Sequence, residues 1–186
     1  MENRETDRVQ ELMKEQEEIL EALLVHIRIF DEFLDDTSPR LGWYALEKVV
    51  GNALSLVRLS HIRFFSDIRG VEIFSDRSTC RVFQTLLENS VVHGKKVTSI
   101  RVTARESPDG LSIVYEDDGI GIPDSEKSTL FEWGRGMHRA HSLFLCRQVL
   151  AATGISIREN GVFNRGARFE ILVPPEKYRI RTEYQR

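Results

Sequence analysis

The chain has few of the features that mark membrane or secreted proteins. Its 186 residues contain no apolar run approaching the roughly 20 residues that a membrane-spanning helix requires. The first residues, MENRETDRVQELMKEQEE, are too charged for a signal peptide. The sequence therefore predicts a globular protein that stays in the cytoplasm without membrane insertion.

Cysteine and clustered positive charge are also scarce. The two cysteines, Cys80 and Cys146, lie in apolar, helix-like surroundings without a metal-ligand spacing, so free buried thiols are favoured over a disulfide. The 26 basic and 29 acidic residues are interspersed and leave a net charge of −3. Without a basic stripe, this balance argues against a nucleic-acid partner.

The first 38 residues have the pattern of one long amphipathic helix. Apolar residues recur at helical spacing between residues 9 and 34, and neither Gly nor Pro occurs before Pro39. An isolated helix would expose this stripe, so we expect it to pair with another helix. Pro39 and Gly42 then end the pattern and mark a boundary between the helix and the rest of the chain.

The rest of the chain alternates short helical and extended segments. We predict helices near 43–59, 81–93 and 142–153, and strands at 61–65, 71–74, 98–106, 111–117, 155–159 and 168–174. The turn SPDG joins two of these strands as a hairpin. This order indicates an α+β domain over 43–178, in which helices cover one face of a mostly antiparallel sheet, followed by a polar tail at 179–186.

Negative charge is concentrated where the predicted strand 111–117 ends, in the stretch VYEDDGIGIPD. A turn needs one glycine and one Asp or Asn, so Glu116, Asp117 and Asp118 together exceed what a turn requires. The stretch is either an acidic hairpin turn or part of a ligand site. Asp118 is interpreted as the solvated turn residue.

Five segments, in order and spacing, resemble the ATP-binding catalytic domain of sensor histidine kinases. They are LLENSVVHG (86–94), EDDGIGIP (116–123), LFEWGRG (130–136), SLFLCRQVLAATG (142–154) and NRGARFEILVP (164–174). That domain belongs to the GHKL superfamily, which includes gyrase, the Hsp90 chaperones and MutL. The resemblance covers about 43–174 and in its details is greatest to kinases of methanogenic archaea. It implies a two-layer α/β sandwich that binds ATP and Mg²⁺.

The resemblance also implies roles for individual residues. A carboxylate at the position of Asp117 accepts a hydrogen bond from the adenine amino group and rejects guanine, which has a carbonyl oxygen there. Asn89 matches a magnesium ligand, Glu88 an acidic residue that serves some members as a general base, and His93 a residue beside the nucleotide. The further nucleotide-binding positions implied are Gly119, Gly121, Ile122, Phe131, Gly134, Gly136, Ser142 and Leu143.

Simpler structural interpretations stay open for two of these residues. Glu88 would suit a solvated helix face, and His93 at a helix C-terminus would interact favourably with the helix dipole. For the glycines, we expect that Gly119 and Gly121 allow the backbone to approach the base and sugar closely.

The phosphate-binding part departs from the family pattern. Thr85 stands where the family has an asparagine, and Val92 stands where it has a phosphate-contacting Lys or Arg. The second glycine-rich segment contains Ala140 and Ser142 in place of its glycines, and a Cβ restricts both backbone angles and close approach. Contacts to the triphosphate are therefore missing or supplied elsewhere, and Arg135, Arg139 or Arg147 could replace the lost charge.

The N-terminal helix also has a counterpart in the family. Residues 5–36 resemble the second helix of a kinase dimerisation hairpin, which implies a homodimer through residues 9–34. The first helix of that hairpin, which bears the phosphoacceptor histidine, has no counterpart here. The surroundings of His26 lack the acidic or Asn residue and the Pro that follow an acceptor histidine, so we predict that His26 is not the acceptor.

Three functions remain open at this point. The leading hypothesis is a histidine kinase catalytic domain that transfers the γ-phosphoryl group of MgATP to a histidine outside this chain. Its partners would be a phosphoacceptor histidine segment or a response regulator. The alternatives are a dimerising regulatory pseudokinase, which the altered phosphate-binding segment favours, and a serine kinase of the anti-sigma-factor type, which the N-terminal helix disfavours.

Overall fold

The structure is a computed structural model that describes residues 41–132 and 139–181, except for the side chains of 139–141. The predicted N-terminal helix, its dimer contact, Gly134 and Gly136 lie outside the described residues. In chain order the elements are β1 (Leu41–Ala45), α1 (Leu46–Leu56), β2 (Arg63–Asp67), β3 (Val71–Asp76), α2 (Thr79–His93), β4 (Ser99–Ser107), β5 (Gly110–Asp117), α3 (Asp124–Lys127), α4 (Arg139–Ala151), β6 (Ser156–Glu159), β7 (Arg168–Val173) and β8 (Tyr178–Ile180).

A five-stranded sheet in the order β2-β4-β5-β7-β6 forms one layer of the domain. Its pairs are antiparallel apart from β2 and β4, which run parallel. The predicted hairpin is present, with Ser107 opposite Gly110 at its closed end. Along β5, Leu111, Ile113 and Tyr115 are buried, and the same alternation places Asp117 on the buried face.

Three helices, α1, α2 and α4, form the second layer. Apolar residues of α2 and α4, including Phe83, Leu86 and Leu143, belong to one buried cluster with Ile100 and Val102 of β4. On β4, Arg101 and Arg105 are exposed between these buried positions, so the helices cover one face of the sheet. The predicted two-layer α/β sandwich is confirmed. Within the two described ranges, no helix has the length and apolar character that crossing a membrane requires.

A second, three-stranded sheet, β1-β3-β8, was not predicted from the sequence. The prediction of a helix from residue 43 is wrong at its start, because Trp43 lies in β1 opposite Phe74, with their rings 5.6 Å apart edge to face. The guanidinium of Arg179 lies 4.3 Å from the centre of the Trp43 ring. Residues 179 and 180 are therefore part of β8, although the sequence analysis assigned them to the polar tail.

Candidate functional site

A cleft lies between the C-terminal half of α2, the end of β5 and the start of α4. The lining residues are Asn89, Ser90, His93, Gly94, Asp117, Gly121, Ile122, Leu143, Ala167 and Phe169. The fold thus brings six of the predicted site residues together: Asn89, His93, Asp117, Gly121, Ile122 and Leu143.

Asp117 lies in the wall of this cleft, with 9% of its surface exposed. Its Oδ1 accepts hydrogen bonds from the backbone N–H of Gly119 at 2.9 Å and of Ala167 at 3.0 Å. Its Oδ2 accepts one from the Ser90 hydroxyl at 2.5 Å. A carboxylate has about four acceptor positions. Three are occupied from within the protein, which leaves one on Oδ2 for a ligand.

Two hydroxyl groups beside Asp117 were missed in the sequence analysis. The buried Tyr115 hydroxyl lies 2.9 Å from Ser90 Oγ and 3.1 Å from the backbone oxygen of Leu86. Burial raises the pKa of Tyr115 far above its usual range; the hydrogen bond with Ser90 opposes this rise, and the negative charge of Asp117 adds to it. The period of a strand is the signal that could have found Tyr115, since it precedes Asp117 by two residues on β5.

The two acidic neighbours of Asp117 have other partners. Glu116 pairs with Arg168 of β7 at 2.9 Å. Asp118 accepts hydrogen bonds from the backbone N–H and hydroxyl groups of Thr98 and Ser99 at 2.6 to 3.0 Å. Partial desolvation opposes the effect of these hydrogen bonds, yet they lower the pKa of Asp118 well below its usual range. Asp118 is exposed, as expected for a solvated turn residue. Its carboxylate also bonds to the residues at the start of β4 and so holds that strand in place.

The glycines around Asp117 are required by contacts within the protein. At Gly166, φ is +108° and a Cβ atom would lie 1.8 Å from the Asp117 backbone oxygen. At Gly121, φ is +67° and a Cβ atom would lie 2.6 Å from the Gly166 oxygen. At Gly119, a Cβ atom would lie 2.6 Å from the Gly94 oxygen. The structure thus supplies a reason for these glycines besides the predicted close approach of a ligand.

Comparison with known proteins identifies the family. The sequence profile of the histidine kinase-, DNA gyrase B-, and HSP90-like ATPases matches residues 75–177. The chain belongs to this ATPase family. The predicted ATP-binding domain of the GHKL histidine kinase type is thereby confirmed, while the resemblance to methanogen kinases stays a prediction.

Individual relatives agree with this assignment. The alginate biosynthesis sensor protein KinB of Pseudomonas aeruginosa is 33% identical over an alignment of 103 residues that covers 50% of this chain and 17% of KinB. The chain therefore matches about a sixth of the length of that relative. Two solved structures have the same fold: the mycobacterial sensor histidine kinase MprB (TM-score 0.61, 22% identity, 72% of this chain and 97% of MprB) and the ATP-binding domain of PrrB from Mycobacterium tuberculosis (TM-score 0.58, 20% identity, 73% and 97%).

Asn89 is the residue predicted to bind a magnesium ion. It lines the cleft, and its buried Nδ2 has no hydrogen-bond partner among the described residues. Rotating the amide by half a turn exchanges its nitrogen and oxygen, so the same position can present an oxygen. Amide oxygens are hard donors suited to Mg²⁺. Asn89 therefore fits the predicted metal ligand.

Four other predicted residues are described but do not line this cleft. Glu88 is exposed and accepts a hydrogen bond from the Gln84 side chain at 2.9 Å. Phe131 is buried with its ring 6.4 Å from that of Phe169. Ser142 is half-buried in the first turn of α4, and Gly119 donates its N–H to Asp117. Their roles toward a nucleotide stay predictions.

The residues that replace the family's phosphate contacts contribute no charge. Thr85 is buried and hydrogen-bonded to Cys146. Burial raises the pKa of the Cys146 thiol to about 12; the Thr85 hydrogen bond opposes the rise and the charge of Glu88 adds to it. Val92 is 68% exposed on α2. Thr85 therefore contacts the neighbouring helix. Val92 presents an apolar surface at the position where the resemblance predicts a Lys or Arg.

Proposed function

We propose that this chain provides the ATP-binding catalytic domain of a two-component sensor histidine kinase and transfers the γ-phosphoryl group of MgATP to a histidine outside the chain. One observation carries the proposal: Asp117 keeps a single free acceptor position in the wall of a cleft with an apolar lining.

The chemistry of the cleft suits an adenine ring. Ile122, Leu143 and Phe169 supply an apolar lining for the faces of a flat base. The free position on Asp117 Oδ2 can accept a hydrogen bond from the exocyclic amino group of adenine. Guanine has a carbonyl oxygen in that place, which would leave the carboxylate without a donor and bring two acceptors together. We therefore expect adenine nucleotides to be preferred.

Asn89 is the residue that would hold the magnesium ion. When bound, Mg²⁺ neutralises phosphate charge and so assists phosphoryl transfer. The role of Asn89 itself is to present an amide oxygen from the C-terminal half of α2, next to the position of the base.

Phosphoryl transfer depends on positioning and charge neutralisation. We expect both to be weak in this chain, so transfer should be slow. The exposed Val92 and the residues Ala140 and Ser142 stand where the family holds phosphates. The partner would be a phosphoacceptor histidine segment or a response regulator. A cytoplasmic location and the homodimer through residues 9–34 belong to the same proposal.

Titration calorimetry of the full chain tests the binding part of this proposal. With Mg²⁺ present, we expect ATP and ADP to bind and GTP to bind much more weakly. Equal affinity for ATP and GTP would contradict the assignment of Asp117.

A labelling experiment tests the transfer part. We expect the chain alone with labelled MgATP to acquire no histidine-linked label, and a supplied acceptor histidine segment to become labelled slowly. Acid-labile label on the chain, lost on changing His26, would show that His26 is the acceptor. Acid-stable, alkali-labile label would instead indicate a serine kinase, and no transfer to any acceptor would indicate a pseudokinase.

Sedimentation tests the dimer. Aspartate at both Leu23 and Ile27 would place charge in the helix-pairing stripe and should convert a dimer to a monomer. A monomer for both the parent and the double variant at high concentration would show that the stripe packs within its own chain.

A further inference from the structure

The hydroxyl groups of Ser90 and Tyr115 have no assigned role, although they join α2 and β5 directly behind the free acceptor of Asp117. We propose that this Ser90–Tyr115 pair determines purine selectivity, because Tyr115 holds the Ser90 hydroxyl in the orientation that donates to Asp117 and prevents it from donating to a ligand. The inference rests on the proposed adenine-nucleotide function.

Counting protons establishes the direction of the hydrogen bonds. The groups around the Asp117 carboxylate are donors, so it acts as an acceptor, and the single proton of Ser90 is used in the 2.5 Å contact with Oδ2. A hydrogen bond in the 2.9 Å contact between Ser90 and Tyr115 can therefore use only the tyrosine proton. Tyr115 has a single proton, which Ser90 shares with the Leu86 backbone oxygen at 3.1 Å. Ser90 thus accepts from Tyr115 while it donates to Asp117.

Burial makes this arrangement rigid. Tyr115 is fully buried and Ser90 is 4% exposed, so water has little access to replace either partner. The other two donors to Asp117 are backbone N–H groups, of Gly119 and Ala167, which cannot rotate. Ser90 is therefore the donor around this carboxylate whose orientation can change.

The orientation of Ser90 matters because adenine and guanine differ at the atom that faces Asp117. Adenine presents an amino group, and guanine presents a carbonyl oxygen. A Ser90 hydroxyl that could rotate would donate to that oxygen and compensate for the mismatch. Within the described lining of the cleft, Ser90 carries the only hydroxyl group. Keeping the Ser90 proton on Asp117 removes this compensation. The carbonyl oxygen of guanine then has no hydrogen-bond donor, and guanine is rejected.

The test measures the affinities of the full chain for MgADP and MgGDP by calorimetry. Tyr115→Phe retains the ring but releases Ser90, so we expect the ADP-to-GDP affinity ratio to fall about fivefold to tenfold, the worth of one neutral hydrogen bond, mainly through a gain in GDP affinity. Adding Ser90→Ala to Tyr115→Phe should abolish that gain, because the donor is then absent.

Ser112→Ala is the matched control. Ser112 also lies on β5 and donates its hydroxyl proton to a carboxylate, that of Glu170 at 2.8 Å, but it lies on the opposite face of the strand from Asp117. Its removal should leave the ratio unchanged. A gain in GDP affinity that persists without the Ser90 hydroxyl would overturn the proposal, because general loosening of the cleft would then be the cause. An unchanged ratio in Tyr115→Phe would overturn it as well.

A third variant covers the case in which Tyr115→Phe does not fold, as judged by thermal unfolding. Ser90→Ala alone should lower ADP affinity severalfold without raising GDP affinity, because Asp117 loses the donor that orients it. Unchanged ADP affinity would contradict the proposal. A parent chain that binds neither nucleotide would instead refute the proposed function, which separates the two failures.

Discussion

The two ends of the cleft are built differently. At the end formed by β5, three hydrogen bonds from within the protein already orient the Asp117 carboxylate. At the end formed by α2, the Asn89 amide nitrogen has no partner among the described residues, and Val92 presents an exposed apolar side chain. The carboxylate at the first end is therefore held in place by the protein, whereas the second end leaves a buried polar atom without a partner among the described residues.

This contrast has a consequence for the free energy of binding. Groups that are held in place lose little conformational freedom when a ligand binds, so the Asp117 end should supply both affinity and selectivity. The Asn89 end should add less. Val92 stands where the resemblance to histidine kinases predicts a Lys or Arg, and Ala140 and Ser142 stand where it predicts glycines. Adenosine and ADP should therefore bind nearly as well as ATP.

The largest expected effect comes from Gly166→Ala, which disrupts the backbone around Asp117. The positive φ and the contact with the Asp117 backbone oxygen leave no room for a Cβ atom. We expect the free energy of unfolding to fall by about 3–5 kcal/mol, as measured by denaturant unfolding. Gly51→Ala is the control: apart from the adjacent residues and the backbone of α1 itself, no atom lies within 4 Å of its Cβ position, so it should stabilise the protein by roughly 0.5–1 kcal/mol. Equal effects would contradict the argument from close contact.

Next in size is Asp117→Asn, which removes the acceptor and leaves the cleft in place. Loss of a charged hydrogen bond should weaken ADP binding by roughly 1.5–3 kcal/mol, or about 10-fold to 150-fold, measured by calorimetry. Asp118→Asn is a matched control on the next residue, whose carboxylate bonds to Thr98 and Ser99 instead. If both variants lost ADP affinity equally, the cleft would not bind the nucleotide through Asp117.

Removing the charge of Asp118 should have a smaller effect, and this effect is on the free energy of unfolding. Because the pKa of Asp118 is lowered in the folded protein, its contribution to stability is present above the unfolded-state pKa of about 3.9 and is lost as the pH falls through the folded-state value. Asp118→Asn should cost about 1 kcal/mol at neutral pH, since solvent screens an exposed carboxylate, and the cost should shrink in acid. Denaturant unfolding from pH 7 to pH 2 measures this.

Asp109→Asn, in the exposed turn between β4 and β5, is the control for that series. It should change stability little at any pH. A cost for Asp118→Asn that stayed constant across the pH range would show that the side chain acts through packing and not through its charge.

The smallest effect tests the other end of the cleft. Val92→Lys restores a cation, and an exposed ion pair should tighten ATP binding by about 0.5 kcal/mol, roughly twofold, without changing adenosine binding. Val91→Lys, at the neighbouring exposed position of α2, is the control. Adding Ala140→Gly and Ser142→Gly to Val92→Lys should increase the preference for the triphosphate further. An equal gain for adenosine would show that the lost cation is not the reason for weak phosphate binding.

Periodicity in the sequence determined much of the large sheet and its helices. The alternation along 98–106 and 111–117, with SPDG between them, was sufficient to predict the β4–β5 hairpin. The apolar spacing and Gly94 predicted where α2 ends, and its N–H does bond to the Ser90 oxygen at 3.0 Å. These features depend on residues close together in the chain, so the local sequence contains the information.

The sequence motifs around Asn89 and Asp117 were likewise sufficient to predict the family and six residues that line the cleft. Residues 43–45, at the end of β1, were wrongly predicted as helix. Their pairing with β3 is non-local and outweighs the local preference.

Only the tertiary structure decided what the three consecutive carboxylates do. Asp117 meets Ser90 27 residues earlier and Ala167 50 residues later, while Asp118 meets Thr98 20 residues earlier. The sequence shows the charges but not their partners, because a hydrogen bond depends on distance in space. The fold brings those donors together only after α2, β4 and β7 have packed around the end of β5.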